Sequence, residues 1–313
     1  MEKKKKKALV LFSGGLDSRI AAKIMEEQGF EVELCFVKLP FGGGCCNNMP
    51  CIINFAQTSG YRLHVVDSTK DEKFREYVEI IRNPKYGCGA GLNPCKDCKI
   101  FIFREGKKLA DSVGASVIVT GEVIGQRPMS QMKKALMFDD EMAGLTGKIL
   151  RPLSAKLLPE TDYEKSGFVD VDKMFGIHGR RREVQMKLAE KYKIKYPSPA
   201  GGCLLCEKIY SEKLKMLFEY SKDLKYEEIL LLNRARMFKK KGLVFVGRNE
   251  EENLFIMEVA KKLKWKVFFK EGVSGPSVVY DREEDSEFAK ELWEVYSSGN
   301  VEDRKKFSEW KVE

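Results

Sequence analysis

The chain has 313 residues, 43% of them hydrophobic and 33% charged, with a formal net charge of +9. These proportions exclude a disordered or low-complexity chain and describe a globular protein long enough for more than one core. No apolar stretch approaches the roughly 20 residues that cross a bilayer, and Lys3 to Lys7 precede only a short apolar run ending in glycines, unlike a signal peptide.

Read in chain order, the run Ala8 to Phe12 predicts a first strand. The segment Ser13-Gly14-Gly15-Leu16-Asp17-Ser18 follows, and a helical pattern from Ser18 to Gln28 ends at Gly29, a good residue for stopping a helix. Two glycines between a strand and a helix let backbone N–H groups approach an anion. Ser13 and Ser18 add hydroxyls, and the helix points its positive end at the same spot. Asp17 is placed to hold Mg2+ or the turn itself. The nucleotide loop of kinases and GTPases needs a lysine after the second glycine and a longer spacing, so this loop is of another kind.

Further runs at Val32–Val37, Leu63–Asp67, Val117–Gly121 and Ile149–Leu153 alternate with helical patterns. That alternation predicts an α/β fold with a parallel sheet covered by helices on both faces. Nine cysteines, several of them closely paired, indicate metal, cluster or sulfur chemistry in a reducing cytoplasm, where structural disulfides are rare. Asn93-Pro94-Cys95-Lys96-Asp97-Cys98 opens a helix reaching about Ala110. Its two thiols, at i and i+3, share a face, and a helix N-terminus favours thiolate. Such a pair can bind metal, anchor an iron-sulfur cluster or carry a persulfide. Cys203 and Cys206 form a second CxxC in a Gly/Pro-rich turn. Cys45 or Cys46 with Cys51 and Cys88 make either a second metal site or a chance grouping, and Cys35 reads as a buried small hydrophobe. His64 and His178 lack partner spacing.

Composition shifts near Asn233. Beyond it, strands at Leu243–Gly247, Val267–Lys270 and Ser277–Tyr280 and helices at Glu250–Lys264 and Glu283–Ser297 predict a small α/β module. The expected division is a domain at 1–210, a linker helix region at 211–232 and the small domain at 233–313. Basic clusters at Lys3–Lys7, Arg180–Arg182, Lys239–Lys241 and Lys261–Lys266 either track an RNA backbone or are solvated faces.

Ser13-Gly14-Gly15-Leu16-Asp17-Ser18 resembles the PP-loop of the N-type ATP pyrophosphatases, which cleave ATP between its α and β phosphates and leave AMP on a substrate oxygen. The NPCxxC of Asn93 to Cys98 beside such a loop resembles the tRNA 2-thiouridylases. This implies that Cys95 and a remote third cysteine, here Cys203 in Pro199-Ala200-Gly201-Gly202-Cys203, handle sulfur. Val119-Thr120-Gly121-Glu122-Val123-Ile124-Gly125-Gln126, continuing through Ser130-Gln131, and Leu150-Arg151-Pro152-Leu153 are similar to the tRNA 4-thiouridine synthetases. There the segment borders the pocket for ATP and the target base, which implies Gly121, Glu122 and Gln126 as ATP-site residues alongside Ser13 to Ser18. CxxC plus a remote cysteine also resembles the iron-sulfur-dependent tRNA thiolases, implying a [4Fe-4S] cluster on Cys95, Cys98 and Cys203, with Cys206 as an alternative ligand. The competing choices are a cluster-free persulfide on Cys203 resolved by Cys95, and a four-cysteine zinc site that includes Cys206. The cysteine-rich insert departs from both thiouridine families. Val246 to Asn253 followed by Gly275 to Val279 resembles an RNA-binding domain of the NFACT-R type.

These resemblances imply an AMP-forming, ATP-dependent tRNA sulfurtransferase. ATP at Ser13 to Ser18 adenylates a uridine or cytidine carbonyl oxygen, sulfur from the cysteine site displaces AMP, and Mg2+ offsets the triphosphate charge. The implied partners are tRNA and a sulfur donor, whether a cysteine desulfurase, sulfide or a sulfur-carrier protein, and no membrane. The alternatives are a PP-loop ligase or amidotransferase without sulfur chemistry, and a non-catalytic RNA-binding protein.

Overall fold

The structure is a computed structural model and describes residues 6–42, 48–89, 91–127, 130–198 and 203–312. Cys45 and Cys46, the lysines before Lys6 and the stretch Pro199 to Gly202 ahead of Cys203 lie outside the described residues. The chain divides into two compact units, one comprising Met1–Gly89 with Asn93–Cys203, the other Ala90–Leu92 with Leu204–Glu313.

In the first unit the five apolar runs become β1 (Lys7–Leu11), β2 (Glu31–Lys38), β3 (Arg62–Asp67), β4 (Val117–Thr120) and β5 (Ile149–Leu150). They form one sheet in the order β3-β2-β1-β4-β5, and every pairing is parallel. The alternation of side chains along β1 decides which helices cover which face. Ala8, Val10 and Phe12 join a core with Ile20 and Ile24 of α1 (Leu16–Glu27) and with Ile52 and Phe55 of α2 (Met49–Ser59). Leu9 and Leu11 point the other way, into a core with Cys35, Ile118 and Phe103 of the long helix Cys95–Val113. Both faces are thus covered, as a parallel sheet requires. Full burial of a side chain such as Ile20 or Ile24 stabilises by about 2 kcal/mol. The last strand is shorter than the expected Ile149–Leu153 because Pro152 has no N–H to continue the ladder. The remaining helices of this unit are α3 (Asp71–Arg82), α4 (the helix Cys95–Val113), α5 (Lys133–Met142), α6 (Asp162–Lys165) and α7 (Glu183–Lys191).

The second unit holds an antiparallel sheet of β6 (Arg236–Lys239), β7 (Leu243–Val246), β8 (Lys266–Phe268) and β9 (Val278–Tyr280), in the order β6-β7-β9-β8. Its helices are α8 (Lys208–Tyr220), α9 (Tyr226–Arg234), α10 (Glu250–Leu263), α11 (Ser286–Ser298) and α12 (Val301–Arg304). Phe238, Val244, Val278, Phe288, Leu292 and Trp293 form its core. The α/β class with a second, smaller domain is the one expected, but the division falls earlier than composition suggests. Residues 211–232 are no linker in this arrangement, because α8 and α9 bury Leu214, Leu217, Ile229, Leu231 and Leu232 within the second unit. The edge strand β6 was hidden in the sequence, where Arg236 and Lys239 at its ends mask the buried Met237 and Phe238 between them.

Candidate active site

In an open parallel sheet a ligand sits beyond the carboxyl ends of the strands, where the strand order reverses. Here that point lies between β1 and β4, and the loop Ser13 to Ser18 leaves β1 there. Gly14 has φ +79°, a turn that a residue with a Cβ adopts only at a cost. Ser18 Oγ donates to the Gly15 carbonyl at 2.9 Å and lies 3.4 Å from Ser13 Oγ. The buried Arg19 braces the loop from behind. Its Nε donates to the Gly14 carbonyl at 2.9 Å and Nη1 to that of Lys195 at 2.9 Å, while Nη2 reaches Cys51 Sγ at 3.0 Å.

Gly121, at the exit of β4, presses on the same loop. A Cβ there would stand 2.4 Å from the Ser18 nitrogen and 2.6 Å from the Asp17 carbonyl carbon, so only glycine fits. Asp17 is held by Gln126, whose Nε2 donates to Oδ2 at 3.0 Å. The other carboxylate oxygen is buried and has no hydrogen bond of full geometry, though the neighbouring Gln185 amide is close enough to favour its charge. Burial pushes the Asp17 carboxyl above its ordinary range, against the pull of the Gln126 hydrogen bond and the charges of Arg182 and Arg127.

One residue past Gly121, Glu122 anchors an ionic network. Lys99 Nζ lies 2.9 Å from its Oε1 and Arg151 Nε 2.9 Å from its Oε2. Lys99 also reaches Asp139 at 2.8 Å and donates to the Ser130 carbonyl at 2.7 Å, and Arg151 grips Asp140 with two bonds of 2.7 and 2.8 Å. Burial works against the Glu122 charge, but Lys99 and then Arg151 overcome it and hold the carboxyl down to about 2. Glu122 is therefore a permanently charged tie between elements and has no proton to exchange near neutral pH. Lys99 follows Cys98 in sequence, so the network fixes the first turn of α4 to the exit of β4.

Cys95 is exposed at the start of α4, its Sγ accepting from Asn93 Nδ2 at 3.3 Å. Cys98 lies 3.0 Å from the hydroxyl of the buried Tyr77. Cys203 Sγ donates to the Phe41 carbonyl at 3.7 Å. Cys95, Cys98 and Cys203 each act electrostatically on Tyr77, and Cys95 and Cys203 on Cys98. In the ligand-free chain burial pushes the Cys98 thiol up to about 12, against the pull of the Tyr77 hydrogen bond and of Lys99. Among the described residues no three Cys, His, Asp or Glu side chains converge as an ion site. Cys51 is instead engaged with Arg19, Cys88 is exposed, and Cys206 is exposed on the second unit. Cys35 is buried in β2, as expected, and His64 pairs with Glu33 at 2.6 Å away from the loop's chemistry.

A parallel sheet in this order, with a glycine loop at its reversal point and a small residue at the neighbouring strand exit, defines an α/β domain with a candidate anion-binding loop. Residues 3–156 match the family described as Thiamine biosynthesis protein (ThiI). The chain is also similar to the tRNA-specific 2-thiouridylase MnmA of Nitratiruptor sp., with 32% identity over 118 residues, 37% of this chain and 34% of that protein. With the MnmA of Clostridium acetobutylicum it shares 28% identity over 193 residues, 55% and 52% of the two chains. It thus spans between about a third and about half of the length of these curated relatives. Among solved structures, the U34-tRNA thiolase NcsA from Methanococcus maripaludis with its [4Fe-4S] cluster is matched over 74% of this chain and 73% of that one, at 16% identity and a TM-score of 0.37. The resemblance to PP-loop tRNA sulfurtransferases read from the sequence is borne out by the family and curated matches. Among the described residues no helix is long and apolar enough to cross a membrane.

Sequence reasoning missed Lys99, Tyr77 and Gln185, and read Arg182 only as part of a basic run. Lys99 carried a signal, being a charge on the face of α4 that also bears Cys95. Gln185 and Tyr77 carried none, since their roles depend on the packing of distant segments.

Proposed function

We propose that this chain is an ATP-dependent tRNA sulfurtransferase that adenylates a uridine or cytidine carbonyl oxygen and replaces it with sulfur held at Cys95, Cys98 and Cys203. The observation that carries this reading is the Lys99 tie, which anchors the thiol-bearing turn of α4 to Glu122, one residue from the Gly121 that packs on Asp17 and Ser18. Nucleotide and sulfur chemistry then share one frame. The loop amides and the Ser13 and Ser18 hydroxyls bind the phosphates, with the positive end of α1 behind them. Asp17 fits Mg2+, because its buried Oδ1 offers an anionic oxygen without a hydrogen bond of full geometry. The carbonyl oxygen of the base attacks the α phosphorus and pyrophosphate leaves. Sulfur then adds at the same carbon and AMP departs with the oxygen. Arg127 and Arg182, whose charges act on Asp17, are suited to neutralise the departing pyrophosphate. For the carbonyl to reach the loop, the base has to leave its stack.

Cys95, Cys98 and Cys203 are of the soft thiol type that a [4Fe-4S] cluster takes as ligands, and all three act on Tyr77. A cluster held by three thiolates supplies one open iron for the sulfur to be transferred. A persulfide on Cys203 resolved by Cys95 is the second reading, favoured by the spacing of the described side chains, which form no ready ion site.

Anaerobic protein supplied with ATP, Mg2+, sulfide and tRNA should yield a thiolated nucleoside by mass spectrometry of the digest, with pyrophosphate released. Asp17→Ala and Ser18→Ala should lose both products. Cys95→Ser, Cys98→Ser and Cys203→Ser should keep ATP binding and lose the thiolated nucleoside, whereas Cys206→Ser keeps it. Normal pyrophosphate release by Asp17→Ala would overturn the loop's role, and full thiolation by Cys203→Ser would overturn that of the cysteine site. About four irons per chain select the cluster, and a metal-free protein that is active with a persulfide donor as the sulfane-sulfur source but inactive with sulfide selects the persulfide.

A further inference from the structure

The second unit gathers cations from five separate elements, and nothing in the proposed chemistry uses them. Lys213 comes from α8, Arg236 from the edge strand β6, Arg248 from the turn after β7, Arg304 from α12, and Lys311 from the C-terminal segment that bridges to β6 opposite Phe238. Geometry fixes several of them in place. Lys213 Nζ donates to the carbonyls of Leu232 at 3.1 Å and Ala235 at 3.0 Å, and Arg236 Nη1 to that of Gly247 at 3.1 Å. The guanidinium groups of Arg236 and Arg304 both lie 4.8 Å from the centre of the Tyr296 ring, so one aromatic side chain holds two like charges close together.

The balance of charge is one-sided. The carboxylate acting on this group is that of Glu252, and it is paired with Arg248 at 2.6 Å. Arg304 Nε is buried without a hydrogen-bond partner, a donor with nothing to donate to. Burial, followed by the charges of Arg248, Lys311 and Arg236, pushes the Lys213 ammonium down to about 8. Burial and neighbouring cations likewise depress Arg236 and Lys311, while Arg248 is sustained by Glu252, and an incoming dianion or phosphodiester would relieve the repulsion. Guanidinium forks match phosphate oxygens in pairs, which an ammonium alone does not.

We propose that Lys213, Arg236, Arg248, Arg304 and Lys311 form a cradle for the phosphate backbone of an RNA, with Tyr296 as the positioning residue that sets the two guanidinium groups. The inference rests on the reading that tRNA is the substrate, and it assigns the second unit the task of gripping that substrate. It also separates this cradle from the more conspicuous lysine runs at Lys239–Lys241 and Lys261–Lys266, which belong to solvated faces.

The test measures affinity of the full chain for a tRNA transcript across a range of salt concentrations. Each lost phosphate contact lowers the slope of log K against log salt by about 0.9. The double variant Arg304→Gln/Lys311→Gln should lose close to two such increments and at least tenfold in affinity at low salt. Arg248→Gln, an exposed position, provides a single-charge variant with little risk to folding. Lys261→Gln/Lys262→Gln on α10 makes the same change in net charge outside the cradle and should leave the slope unaltered. Equal losses in the α10 variant, or wild-type slopes in the cradle variants, would overturn the proposal in favour of a diffuse positive surface. Competition by polyglutamate as strong as that by RNA would overturn it in favour of an acidic protein partner. If the wild-type chain binds no tRNA at any salt, the substrate reading itself fails, an outcome distinct from binding that ignores the cradle variants.

Discussion

Asp17 is a carboxylate buried where its charge is unwelcome until a ligand arrives. The folded chain binds its proton more tightly than the unfolded chain does. Its contribution to stability therefore falls as pH rises from the ordinary value of 3.8 through the raised folded value, and at neutral pH it is unfavourable. Asp17→Asn should accordingly raise the melting temperature of the ligand-free protein while abolishing pyrophosphate release. A lower melting temperature would mean that Asp17 is a structural tie. Glu122 behaves with the opposite sign. The stability it supplies is complete above the ordinary 4.5 and is lost as pH falls towards about 2. Glu122→Gln removes one of the two carboxylates facing Lys99 and Arg151, which keep Asp139 and Asp140, and should cost about 3 kcal/mol at pH 7, read by denaturant unfolding, with a smaller difference from the wild type at pH 3. Gly121→Ala drives a methyl into the backbone of Asp17 and Ser18. It should cost about 1–3 kcal/mol and remove ATP binding measured by calorimetry.

At the scale of elements, the exit of β4 and the first turn of α4 act as one piece because Lys99 ties them. Lys99→Met should leave α4 formed, since its helical face is held by Ile100, Phe101 and Phe103, yet release the thiols from their register with the nucleotide loop. Pyrophosphate release should then persist with little thiolated nucleoside, a split that a mere loss of folding would not produce. Much of this arrangement was legible in the sequence. The apolar runs of β1 to β4 announce strands, and Ser13 to Ser18 announce the loop, because burial on both faces and a tight turn demand specific residue types. The tie was not legible, since Glu122, Arg151, Asp139 and Lys99 are far apart in the chain and charged residues in a sequence do not declare their partners. The edge strand β6 was hidden for a related reason. Its two buried residues are too few to set a period between flanking cations.

The molecule as a whole comprises two units with separate cores, so a boundary drawn near Asn233 cuts through the second rather than between the two. A chain ending there keeps α8 and α9 but loses the sheet and α10, exposing Leu214, Leu217, Ile229 and Leu232. Such a truncation should aggregate or bind a hydrophobic dye, as seen by light scattering or fluorescence, even if the first unit remains folded.

Cys35 sits in β2 between β1 and β3, opposite Leu11 on one side and His64 on the other, with its thiol pushed up to about 12 by burial. Reagent reaches that sulfur only when the sheet itself comes apart. Nature has thus left a clock inside the first unit. Pulse alkylation followed by peptide mass spectrometry would time its opening without any introduced label, against the exposed Cys95 and Cys88 as internal standards. A nucleotide that closes on the loop leaving β1 should slow that clock by a factor of 1 + [L]/Kd, the reciprocal of the unliganded fraction, and so report its own affinity from the far face of the sheet.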